Sequence, residues 1–98
     1  MTVETKKTGA DLEIGISGRL DTTTSPELEI KLKEALDGIE NLVINLKELE
    51  YVSSAGLRVL LQAQKTMNKQ GNMVIRNASE DVMEIFEVTG FSDILTIE

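Results

Sequence analysis

Apolar and polar residues alternate most regularly from Leu12 to Ser17, where Leu12, Ile14 and Ile16 are separated by Glu13 and Gly15. A period of two marks a strand that buries one face. A shorter and weaker pattern, Val3 to Lys7, precedes it, and Thr8-Gly9-Ala10-Asp11 between them has the composition of a turn. The two strands are therefore expected to form a hairpin, with Gly18 ending the second strand. RLDTTTSPE then leads into a helix. Thr24 or Ser25 is the expected N-cap, Pro26 suits the first turn, and Glu27 stands three residues after Thr24 as in a capping box. Leu28, Leu32, Ala35, Leu36 and Ile39 fall at helical spacing, and Gly38 suits a left-handed residue at the end of that helix.

NLVINL, Asn41 to Leu46, is an almost continuous apolar run of strand length, the pattern of a central strand covered on both faces. Lys47 to Val52 leads out of it into a second helix, whose stripe is Leu57, Leu60, Leu61 and Met67 and whose end is Gly71. Met73 to Arg76 reads as a short strand. Ser79 caps a third helix with Val82, Ile85 and Phe86 on its buried side and Gly90 past its end, while Phe91, Ile94, Leu95 and Ile97 suggest a turn of helix or an edge strand. The order β-β-α-β-α-β-α plus a short C-terminal segment places the chain in the α/β class. It predicts a mixed sheet of four or five strands with helices packed on it.

Composition narrows what such a fold does. The 98 residues are 41% hydrophobic, enough for one core and one domain, residues 1–98. A formal charge of -7 disfavours phosphate backbones and anionic lipid, so no nucleic-acid partner is expected. Apolar runs are short and the N-terminus lacks a signal core, which predicts a cytoplasmic protein with no membrane insertion. The absence of Cys and His removes disulfides, thiolate chemistry, the commonest neutral metal ligand and the usual general base. No glycine-rich phosphate loop and no calcium loop is present, and the 17 acidic residues read as a solvated surface, so neither cofactor nor metal is expected.

Against this background the pair Ser53-Ser54 in YVSSAGLRVLL stands out. A nucleophile elbow would need Gly where Val52 stands and a His elsewhere, so catalysis is not expected. Serine is a preferred N-cap, which explains one hydroxyl at the start of the second helix. The same position also tolerates a phosphate, because helix N-terminal N–H groups and the positive end of the dipole accept added negative charge.

YVSSAGLRVLL resembles the signature of the STAS domain, the family of bacterial anti-sigma-factor antagonists. The resemblance extends over the chain through GRLDTTTSPEL, NLVINLKELEYVSSAGLRVLL and SEDVMEIFEVTGFSDIL. Antagonists of this family usually read Asp-Ser-(Ser or Thr)-Gly-Leu, with the serine after Asp phosphorylated. Aligned on Gly56-Leu57, that serine is Ser54, with Ser53 as the second choice. Ser53 stands where the family has Asp, and Ala55 replaces the second hydroxyl-bearing residue. Asp21 matches an acidic position near the phosphorylation site. The resemblance implies a non-enzymatic partner switch. The unmodified chain binds an anti-sigma factor that is also a serine kinase, phosphorylation releases it, and a serine phosphatase resets it. Asp21, Thr22, Thr23, Ser53, Ser54 and Arg58 are the implied contact residues, on a monomer or weak dimer. The alternative within the same family is a non-phosphorylated interaction module of a signalling assembly or a lipid-transport ATPase complex.

Overall fold

The computed structural model describes residues 1–98. Strands β1 (Thr2–Thr8) and β2 (Asp11–Leu20) form the expected hairpin, paired antiparallel from Thr2↔Ser17 to Thr8↔Asp11. Its two-residue loop is possible because Gly9 adopts φ +61°, a conformation glycine enters without a Cβ clash. Helix α1 (Ser25–Ala35), strands β3 (Asn41–Asn45) and β4 (Leu49–Val52), helix α2 (Ser54–Gln70), strand β5 (Asn72–Arg76) and helix α3 (Glu80–Thr89) follow.

The sheet runs β1-β2-β3-β5, antiparallel at β1 and parallel elsewhere. Its fifth strand, β4, is missing from the order read off the sequence. β4 takes up parallel pairing with β2 where β3 leaves it, Gly15↔Asn45 giving way to Gly18↔Leu49. Gly18 consequently does not end β2. It sits within the strand at φ +85°, where β2 advances one residue, Gly18 to Arg19, while β4 advances two, Leu49 to Tyr51.

Register explains the core. Leu12, Leu42 and Met73 lie in one row across β2, β3 and β5, and Ile14, Ile44 and Ile75 lie in the next, all buried. Leu28 and Leu32 of α1, Leu57, Leu60 and Met67 of α2, and Val82 and Phe86 of α3 complete one apolar cluster with them. Residues of the opposite parity are not enclosed: Glu13, Val43 and Val74 are only half-buried. The expectation that β3 is covered on both faces is therefore wrong. Its second face carries Val43 beside Val74 and an Asn41 side chain hydrogen-bonded to Asp11 and Asn72, and none of its residues is fully buried.

Other boundaries shift for local reasons. α1 ends at Ala35, so Ile39 is buried from the following loop, in which Gly38 takes φ +78°. In α2, Val59, Ala63 and Gln64 are buried whereas Leu61 is half-buried. Gly71 does terminate α2, but through close approach rather than a left-handed turn: a Cβ there would overlap the Glu40 carbonyl oxygen. Ser79 and Gly90 behave as expected. The Val82 N–H donates to Ser79 Oγ at 3.2 Å, and Gly90 is left-handed at φ +82°. Ile85 is only half-buried. The C-terminal segment is both expected things in turn, a 3-10 turn at Phe91–Asp93 and then one parallel bridge from Ile97 to Ile75, with Ile94 49% exposed.

Candidate functional site

The parallel strands β2 and β4 end side by side. Leu20 pairs with Val52, and the Ser53 N–H donates to the Leu20 carbonyl at 2.8 Å. Asp21 and Ser53 therefore leave neighbouring strand ends together, at the carboxyl edge where parallel sheets commonly present their sites. Residues far apart in the chain become adjacent through this one pairing.

The loop after β2 is folded around Asp21. Its Oδ1 accepts the Thr23 N–H at 3.0 Å and the Thr24 N–H at 3.1 Å, and Arg19 lies 3.9 Å from Oδ2. The backbone donors of Thr24 and Thr23, the Thr24 hydroxyl and the Arg19 charge hold the Asp21 carboxyl below its ordinary pKa against some desolvation. Thr24 is itself used up here. Its hydroxyl donates to the Arg19 carbonyl at 2.9 Å and accepts the Asp21 N–H at 2.9 Å. It makes no side-chain bond to α1, so the expected capping box does not form. The buried Ser25 hydroxyl, bonded to the Asp21 carbonyl, closes the same loop.

On the β4 side, Ser53 is the N-cap of α2, its Oγ accepting the Gly56 N–H at 3.3 Å. Ser54 is the first helical residue; it is exposed and its hydroxyl has no partner within the chain. Gly56 brings the helix down onto the strand ends. A Cβ there would lie 2.7 Å from Leu20 Cγ and 2.9 Å from the Leu20 carbonyl oxygen. Electrostatically, α2 is the exception among the three helices. α1 carries Glu27 and α3 carries Glu80 and Asp81 in the first turn, whereas α2 has no acid there. The positive end of its dipole is thus left unneutralised by its own residues.

All the residues singled out from sequence come to this end or its margin. Asp21 and Ser53 follow the paired strand ends Leu20 and Val52 with Ser54 next in the chain, Thr22 and Thr23 are exposed on the Asp21 loop, and Arg58 is exposed one turn beyond Ser54 without an ion-pair partner. Arg19 and Tyr51 are not among the residues the sequence singles out, and Thr24 enters there only as a cap. Arg19 and Tyr51 pair across β2 and β4, with the guanidinium 4.3 Å from the ring centroid, so the side chain that flanks Asp21 is stacked in place. No cluster of three or more His, Cys, Asp or Glu side chains with metal-binding geometry is present. No helix is long and apolar enough to cross a membrane.

Comparison with known proteins places these features in a family. The STAS domain model matches residues 2–98. The anti-sigma-B factor antagonist of Bacillus subtilis (strain 168) is 33% identical over 98 residues, covering 99% of this chain and 90% of that one. An anti-sigma factor antagonist from Mycobacterium paratuberculosis has the same fold, with a TM-score of 0.87 at 22% identity over 98% of this chain and 83% of the other. The anti-sigma factor antagonist SpoIIAA in its unphosphorylated form gives 0.77 at 17% identity, covering 99% and 87%. The phosphorylated form of this Bacillus cell fate determinant gives 0.76.

Proposed function

The chain belongs to the STAS domain family, and we propose that it acts as an anti-sigma-factor antagonist by partner switching, with Ser54 as the phosphate acceptor. In this reading the unmodified protein binds an anti-sigma factor with serine kinase activity. Transfer of the γ-phosphoryl group of ATP to the Ser54 hydroxyl, with loss of the hydroxyl proton and release of ADP, ends the complex, and a serine phosphatase restores it.

The observation that carries the proposal is the division of labour between the two serines. Ser53 has its hydroxyl engaged as the α2 cap, while Ser54 is exposed and unpartnered at the first residue of a helix whose first turn contains no carboxylate. Phosphate there adds about −1.5 to −2 charges where the helix dipole favours them. The antagonist's own fold is spared and the consequence falls on the partner. Asp21, its carboxylate held in place by two backbone donors, supplies a fixed negative charge at the neighbouring strand end. A partner surface matched to one negative group meets two after modification, and a hundredfold loss of affinity needs only about 2.7 kcal/mol. Thr22, Thr23 and Arg58 flank the acceptor and complete the contact surface.

The test is a pull-down from source cells with wild type, Ser54→Ala and Ser54→Asp, coupled to identification of the captured kinase and phosphosite mass spectrometry. Ser54→Ala retains the kinase, Ser54→Asp loses it, and phosphate maps to Ser54. Equal recovery by all three baits, with no phosphate on Ser53 or Ser54, would refute the switch and leave the non-phosphorylated interaction module.

A further inference from the structure

Strand β1 is an edge strand of seven residues with its outer side uncovered. The two-residue hairpin loop makes Thr8↔Asp11 the closing hydrogen-bonded pair, so Thr2, Glu4, Lys6 and Thr8 direct their backbone groups to β2. Val3, Thr5 and Lys7 direct theirs outward. Thr5 and Lys7 are also exposed on the helix-facing side of the sheet, so no helix overhangs the edge and another strand has room to approach. Such an edge is a pairing template unless something blunts it.

We propose that this edge binds the β1 edge of a second copy of the chain, antiparallel about a two-fold axis through Thr5. In that register Thr5 pairs with its own copy and Val3 with Lys7 of the partner, and every outward N–H and C=O of these residues is satisfied. Thr2 stands opposite Thr8. On the open face Glu4 stands opposite Lys6, and by symmetry Lys6 opposite Glu4, giving two ion pairs from one operation. Neither Glu4 nor Lys6 makes an ion pair within its own chain. Lys6 would sit between Glu13, its neighbour on β2, and Glu4 of the second copy.

The charges also select the register. Hydrogen-bond parity permits slips only by whole steps that keep odd residues facing odd residues. A centre on Glu4 opposes Glu4 to Glu4, a centre on Lys6 opposes Lys6 to Lys6, and each leaves outward backbone groups unpaired. Like charges directly opposite are destabilising, so the lysines that would otherwise guard the edge admit one arrangement of it. The union leaves the carboxyl ends of β2 and β4, and with them Asp21 and Ser54, uncovered.

Sedimentation and amide exchange test the assignment. Wild type associates at concentrations up to about 1 mM, and the amides of Val3, Thr5 and Lys7 gain protection with concentration. Glu4→Lys sets two lysine side chains opposite each other in both cross-copy pairs, and Lys6→Glu sets two glutamates there, so each variant alone associates about tenfold more weakly. Mixing the two variants relieves the clash, because every opposed pair in the mixed dimer is again of opposite sign, and association returns. Circular dichroism checks that these exposed substitutions leave the fold unchanged. A wild type that stays monomeric, a dimer indifferent to both substitutions, or protection of the Thr5 amide only on adding a different protein would each overturn the assignment to a second copy.

Discussion

Replacing Gly56 with alanine sets two effects of opposite sign against each other. Within a helix alanine is favoured over glycine by about 1 kcal/mol. The added Cβ, however, would lie 2.7 Å from Leu20 Cγ, 2.9 Å from the Leu20 carbonyl oxygen and 2.9 Å from Val52 Cγ2, where comfortable carbon contacts begin near about 3.5 Å. Leu20 is fully buried, so its side chain has no free volume to turn into. Its carbonyl is tied to the Ser53 N–H and moves only if the end of β4 moves with it. Overpacking of this kind costs about 1–3 kcal/mol, and the backbone contact puts Gly56→Ala at the upper end. The balance is a loss of about 2 kcal/mol, which for a chain of this size lowers Tm by about 8–16 °C. Thermal and urea denaturation followed by circular dichroism measure it. Adding Leu20→Ala removes the nearest clash, so the double variant loses less than the sum of the two single losses. If Gly56→Ala melts at or above the wild-type temperature, helix propensity outweighs the clash and the start of α2 is not pinned against β2.

Two further outcomes follow from the same site. Because the Asp21 pKa is lowered in the folded state, its charge stabilises the fold above the unfolded value of about 3.9 and that contribution disappears as pH falls through the folded value. Asp21→Asn is accordingly less stable than wild type at pH 7 but not at the acid end of a denaturation series, and a gap that stays constant with pH would contradict this. Ser53→Ala removes a cap whose bond is long at 3.3 Å, a loss of about 0.5–1 kcal/mol. Ser54→Ala removes an exposed hydroxyl without a partner and stays within about 0.5 kcal/mol of wild type; equal losses in paired urea titrations would show that the two serines are not divided as described.

The features legible in the sequence are those written in neighbouring residues. The hairpin turn at Gly9, a serine cap at the start of α2, the Ser79 cap and the left-handed Gly90 depend on contacts within a few positions, and each occurs where the pattern predicts it. β4 escaped because it has four residues and its register slips against β2 within them, which breaks the alternation a strand would show. β3 misled for the opposite reason. Val43 makes its run continuously apolar, although the valine needs only Val74 beside it and no helix above. Gly18 and Thr24 carry signals with two physical meanings: a positive φ serves a register shift inside a strand as well as a stop, and a threonine hydroxyl serves a turn as well as a cap. At the candidate site, local pattern brought out the serines and family resemblance brought out Asp21. Arg19 and Tyr51, the residues that brace Asp21, depend on a long-range strand pairing that no local pattern encodes.

The place of Ser54 at the very start of α2 also bears on how the chain frays. The first N–H groups of a helix have no intrahelical acceptor, so the opening residues are tied down by few bonds. Here fraying is checked at once: the Ser53 N–H is donated to the Leu20 carbonyl at 2.8 Å, the Ser53 hydroxyl caps the helix, and the Leu57 N–H is donated to the Ser53 carbonyl at 2.9 Å. Three residues on, Gly56 is wedged against Leu20 and Val52. Ser54 and Ala55 therefore span two points fixed to the same strand end, and the exposed Ser54 hydroxyl is carried on a mount whose position the sheet sets.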